Sequence, residues 1–202
     1  MKIIIVILAF VFNLLIPNAP KKGYDVGDKV ADFNLKNVDG KYVSLSDYKS
    51  AKGIILIFDC NTCPVSKLYN SRIINLHKKY SELNFPVVTI NSNDVVKSPL
   101  DSYDEMVKEA KAKNYDFAYL WDDTQTVAQM YGASNTPHVF VLVKENEKVK
   151  VAYIGGIDDN ARDASKAKKK YVEEAVDALL KGSKIPFTKT KAIGCGIKWR
   201  DA

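Results

Sequence analysis

The run Gly-Ile-Ile-Leu-Ile-Phe, residues 53–58, constrains the fold more than any other stretch. It is strand-sized and has no polar face, which predicts a strand buried on both sides. Such a strand needs covering elements, and the sequence supplies them. From Pro64 onward, Val65, Leu68, Arg72, Ile73, Leu76 and Tyr80 fall at helical spacing, and all but Arg72 are apolar or aromatic. Two more strand-sized runs, FPVVTI (85–90) and FAYLW (117–121), alternate with an amphipathic helix over 102–114 and a short helix over 124–132. Gly132 is a favoured stop for the short helix. HVFVLV (138–143) and KVKVAYIGG (148–156) read as an antiparallel pair, followed by a last helix over about 162–182. Ahead of the first buried run, residues 32–49 read as two alternating strands joined by NVDG, where Asp39-Gly40 is a hairpin turn. This order predicts an α/β fold with a central sheet covered by helices on both faces and an added N-terminal hairpin.

The 202 residues suffice for one domain with a sizeable core, expected over 20–202. Residues 1–19 are different material. After Met1 and Lys2, fourteen residues (3–16) are apolar except for Asn13, the size of a signal-peptide core and short for a bilayer span. Pro17, Ala19 and Pro20 make a poor cleavage site, so both a signal peptide and an uncleaved membrane anchor stay open. Either reading places the protein outside the cytoplasm, in the periplasm or another extracytoplasmic space, possessing a membrane tether if residues 3–16 are retained. The formal charge of +6 gathers at Lys166–Lys170, read as the solvated face of the last helix. It lacks interleaved aromatics, so no nucleic-acid partner is expected.

The chemistry is expected where the first buried strand ends, at Asp59-Cys60-Asn61-Thr62-Cys63-Pro64. A thiol at a helix start meets unsatisfied N–H groups and the positive end of the helix dipole, which pull its pKa from ~8.5 into the range ~3.5–7.5. Asn61 and Thr62 are competent N-caps, and Pro64 suits the first turn. Two cysteines bracketing two residues there can close a small disulfide, with Cys60 attacking a substrate disulfide and Cys63 resolving the mixed disulfide. Asp59 opposes a thiolate at Cys60, and the helix start is expected to outweigh it.

A second motif, Thr136-Pro137 directly before the strand that opens at His138, completes a resemblance and makes Thr136, Pro137 and His138 the expected active-site loop. Together with CNTCP and the element order, it is similar to the thioredoxin-like superfamily, and within it to the redoxin branch of peroxiredoxin-like proteins and extracytoplasmic thiol-disulfide oxidoreductases. The resemblance covers residues 24–160, and NSND (91–94), GGIDDN (155–160) and GCGIKW (194–199) resemble a subgroup of that branch. It implies a thioredoxin-like fold, a cis bond at Pro137, and a Thr136 backbone offered to a bound peptide. It also implies a thiol-disulfide oxidoreductase acting on protein or small-molecule disulfides and thiols, recycled by a redox partner and needing no cofactor. This chain departs from thioredoxin itself, which has tryptophan before its first cysteine and Gly-Pro between the two. The direction of electron flow is therefore open.

Two alternatives come from the same residues. A peroxiredoxin-like thiol peroxidase, an antioxidant role, would use Cys63-Pro64, but Cys60 stands where those enzymes have threonine and no motif supplies their arginine. A Cu(I)-binding chaperone of thioredoxin fold would use both thiolates and His138, but its spacing has one more residue between the cysteines. His138, if it faced Cys60 as a cation, would lower the thiol pKa; pointing away, it would not. Cys195, between two glycines, is open as a buried thiol, a third redox partner or an intermolecular link.

Overall fold

A computed structural model describes residues 23–201. The expected signal or anchor segment, 1–19, lies outside them. The chain forms a seven-stranded mixed sheet and a separate two-stranded one. β1 (Asn34–Asn37) and β2 (Tyr42–Ser44) are the hairpin at one edge. β3 (Gly53–Phe58) lies between β4 (Val87–Asn91), parallel to it, and β7 (His138–Glu145), antiparallel. β5 (Ala118–Trp121) joins β4 to the hairpin, and β8 (Lys148–Gly155) closes the other edge beside β7. The order is β2-β1-β5-β4-β3-β7-β8, and every residue of β3 is buried.

Alternation along β3 sends side chains to two cores. Leu56 and Phe58 pack with Phe140, Leu142 and the helix α3 (Thr126–Tyr131) on one face. Ile55 and Ile57 pack with Val139 and Val141 against α1 (Pro64–Tyr80) and α4 (Tyr171–Leu180) on the other. α2 (Tyr103–Lys113) sets Met106 and Ala110 on Tyr119. Gly132 ends α3 with φ +71°, the left-handed conformation that suits glycine.

One element is shorter than its pattern. The helix expected over 162–182 starts at Tyr171, and Lys166–Lys170 lies outside it. Asp163 accepts from Ser165 N and holds a single 3₁₀ turn at Ala164–Lys166, after which Ala167 is extended. The backbone of 168–169 is then taken up by Asp159, through Lys168 N to Asp159 Oδ1 and Asp159 N to Lys169 O. Those bonds replace the helical ones that the lysine run would have made.

The two-stranded sheet was not foreseen. It pairs β6 (Asn135–Thr136) with β9 (Cys195–Gly196), bringing the C-terminal segment across the molecule to the loop before β7.

Candidate active site

Beyond Phe58 the chain leaves the sheet, with Asp59 N still bonded to Ile90 O at 2.9 Å. The next turn is gripped by a carboxylate from another loop. Asp101, fully buried between β4 and α2, accepts from Asn61 N (2.7 Å), Thr62 Oγ1 (2.7 Å), Ser98 Oγ (2.6 Å), Asn93 Nδ2 (2.8 Å) and Asn91 Nδ2 (3.2 Å). Asn61 is held further by Leu100 O and Tyr119 O–H. Neither Asn61 nor Thr62 caps the helix. The N-cap is Cys63, with extended φ/ψ, and Pro64 takes the first helical position as its missing N–H allows.

This placement gives the two thiols different surroundings. Cys63 sits at the tip of α1, and its pKa is pulled well below the usual thiol range. Hydrogen bonding from the Cys60 thiol contributes most, with the Cys195 thiol and the backbone donors of Ser66 and Cys195 adding to it. The Thr136 carbonyl, 3.1 Å from Cys63 Sγ, accepts from the thiol and opposes the thiolate. Cys60 is pushed the other way: it keeps the proton it shares with Cys63, is buried, and faces Asp101 and Asp59. Its Sγ lies 3.2 Å from Thr136 Oγ1, a neighbour that favours its thiolate. The helix-start donors thus serve Cys63, and the carboxylates bear on Cys60.

Asp59 is buried beside the pair. Burial raises its carboxyl to about 6, and its Oδ1 has no hydrogen-bond partner among the described residues, nor does the buried Ser66 hydroxyl. The Thr136–Pro137 peptide is cis. His138 does not act as a cation beside the sulfurs. Its Nδ1 accepts from Ser134 N at 3.4 Å, its ring rests on Phe140, and burial lowers its pKa to about 4. Arg72 is committed elsewhere, to Asp158 (2.6 Å) and to the Asn160 and Ala161 carbonyls. Among the described residues no group of three or more His, Cys, Asp or Glu side chains is disposed to hold a metal ion.

The third cysteine is at the site. β9 sets Cys195 opposite Thr136, and Cys195 Sγ lies 2.7 Å from Cys63 Sγ. With this segment in place both cysteines of the pair are buried, Cys60 5% and Cys63 2% exposed. Gly194 makes the approach feasible: a Cβ there would stand 2.1 Å from Thr136 O. Sequence reasoning had no means of placing Cys195, although the flanking glycines were the correct signal of close backbone approach. Asp101 carried no signal, because its partners are scattered over 61–98.

Residues 26–152 match the AhpC/TSA family, well over half of the chain. The chain belongs to the AhpC/TSA family. This places it in the redoxin branch of the thioredoxin-like superfamily. Among solved structures, this AhpC/TSA protein is similar to an uncharacterised conserved protein from Geobacillus kaustophilus, with 35% identity and a TM-score of 0.81 over 88% of this chain and 94% of that one. A proposed thiol:disulfide interchange protein, DsbE, from Chlorobium tepidum shares the fold at 22% identity, with a TM-score of 0.61 over 77% and 98%. Peroxidoxin BcpB from Mycobacterium tuberculosis shares it at 23%, with a TM-score of 0.57 over 78% and 96%. No curated protein matches the chain. Among the described residues no helix is long and apolar enough to cross a membrane.

Proposed function

We propose that this AhpC/TSA protein is a thiol-disulfide oxidoreductase working through Cys63 and Cys60, with the roles set by their surroundings. The observation that carries this reading is the asymmetry of the pair: Cys63 at a helix tip among donors, Cys60 among carboxylates. The Cys63 thiolate attacks one sulfur of a substrate disulfide. That S–S bond breaks, one substrate sulfur leaves as a thiolate and takes up a proton, and a mixed disulfide remains on Cys63. Cys60 then gives up its proton and attacks Cys63 Sγ. The Cys60–Cys63 disulfide forms, the second substrate thiolate departs, and two electrons have passed from the protein to the substrate. The reverse sequence oxidises a substrate dithiol. Substrates are disulfide- or thiol-bearing proteins or small molecules, and a redox partner restores the starting state. We place the reaction outside the cytoplasm, on the strength of the apolar segment at residues 3–16.

Exchange with a test disulfide checks the roles. Cys63→Ser should abolish it, and Cys60→Ser in a Cys195→Ser background, which leaves Cys63 no neighbouring thiol, should accumulate a mixed disulfide at Cys63, visible as a mass adduct that reductant removes. Native exchange by Cys63→Ser would overturn the assignment.

A second reading is favoured by one observation, the lowered pKa of a thiol directly before Pro64 at a helix start. In a thiol peroxidase the Cys63 thiolate would attack a peroxide O–O bond, giving a sulfenic acid and an alcohol or water. A neighbouring thiol would then condense with it and release water. Peroxide consumption supported by a thiol reductant, at rates matching disulfide exchange, would promote this reading.

A further inference from the structure

The C-terminal segment is a fitted part of the site. Beyond the β6–β9 pairing, Asn135 Nδ2 donates to Gly194 O (3.2 Å) and Ile197 N to Ser134 O (3.0 Å). Ile197 is buried in the core on the α3 side. Lys198 N donates to Asn93 Oδ1 (2.8 Å), and Lys198 O accepts from Asp94 N and Gln125 Nε2 (both 2.8 Å). Arg200 Nε pairs with the buried Asp94 carboxylate at 2.9 Å. The strand lies antiparallel on Thr136, the residue before Pro137, and delivers a sulfur to Cys63.

We propose that residues 194–199 are a built-in occupant of the peptide-binding edge, and that Cys195 is a third redox thiol which closes a disulfide with Cys63. This rests on the thiol-exchange reading. After Cys63 has formed a mixed disulfide with substrate, the Cys195 thiol loses its proton and attacks Cys63 Sγ. The Cys63–substrate bond breaks, the substrate leaves as a thiolate, and a Cys63–Cys195 disulfide forms. Cys60 can then attack Cys63 Sγ in turn, releasing Cys195 as a thiolate that takes up a proton and leaving Cys60–Cys63. This second step moves a disulfide within the chain and consumes no oxidant. Cys63 is thus shared between two bonds, and an incoming polypeptide must displace the strand that covers it.

The test uses the full chain, equilibrated in glutathione buffers of graded poise, alkylated, digested and mapped without reductant. Cys60→Ser should yield a peptide pair linked through Cys63 and Cys195. Gly194→Val, which forces the strand off Thr136, should abolish that link in a Cys60→Ser background. In otherwise native, reduced protein it should speed alkylation of Cys63 about tenfold, as a local opening easier by one decade in its equilibrium would give. Cys63 and Cys195 both remaining alkylatable at every poise in Cys60→Ser would overturn the proposal. If the native chain still exchanges disulfides and closes Cys60–Cys63, the oxidoreductase reading survives that failure. A native chain that does neither removes the oxidoreductase reading itself. Should Cys60→Ser not fold, the linked pair is sought in the native chain, where its absence at every poise counts against the proposal.

Discussion

Acid should weaken this fold through His138, and replacing that imidazole should remove a defined part of the weakening. The ring is 9% exposed, accepts from Ser134 N and packs on Phe140, so a proton placed on it meets neither water nor a counter-charge. Burial brings its pKa to about 4, against about 6.5 in an unfolded chain. The folded pKa is the lower one, so the stabilising contribution is complete above the unfolded value and is lost as the pH falls toward the folded one. Between about pH 7 and about pH 5 that loss comes to about 2 kcal/mol. Asp59 works in the opposite sense. Its carboxyl is raised to about 6, so folding takes up a proton and gains about 1 kcal/mol over the same interval. Denaturant unfolding at the two pH values, in the native protein and in His138→Gln, isolates the imidazole, because every other titrating group cancels in the difference. The variant should lose about 2 kcal/mol less on acidification than the native protein. Equal losses in the two proteins would refute the burial argument and restore a solvated or paired histidine.

Two further outcomes follow from the site. Asp101→Asn should lower the pKa of the Cys60 thiol, because a carboxylate that raises it is gone, and thiolate absorbance in a pH titration reads the shift. Asp101→Ala leaves buried donors of Asn91, Asn93 and Ser98 without their acceptor and should cost about 3–5 kcal/mol in a denaturant melt. Arg72→Met breaks a buried pair with Asp158 and should cost about 3 kcal/mol, while leaving the rate of any peroxide reaction of the folded protein unchanged.

The sheet was legible because its strands are buried on both faces. A strand such as β3 has no polar side chain to confuse its period, and Gly53–Phe58 was read without error. The dithiol was legible for a related reason, since a strand-to-helix junction is a place where chain order equals position in space. What failed were statements about orientation. The CNTC sequence does not say which sulfur the helix start will face, and the N-cap is Cys63 rather than Asn61 or Thr62. Lys166–Lys170 kept helical composition but lost its helix to backbone bonds with Asp159, a partner set by tertiary packing. Cys195 reaches Cys63 across 132 positions, a closeness that periodicity does not encode.

Asn61 and Thr62 bear on more than the redox poise of the two cysteines they separate. Their backbone and side chains plug into a socket made by 91–101, so dipeptide and socket are co-specified, each shaped to receive the other. Transplanting another dithiol motif between Cys60 and Cys63 would therefore strand that socket's polar groups. In this protein, the potential of the pair can evolve only as fast as a loop forty residues downstream changes with it.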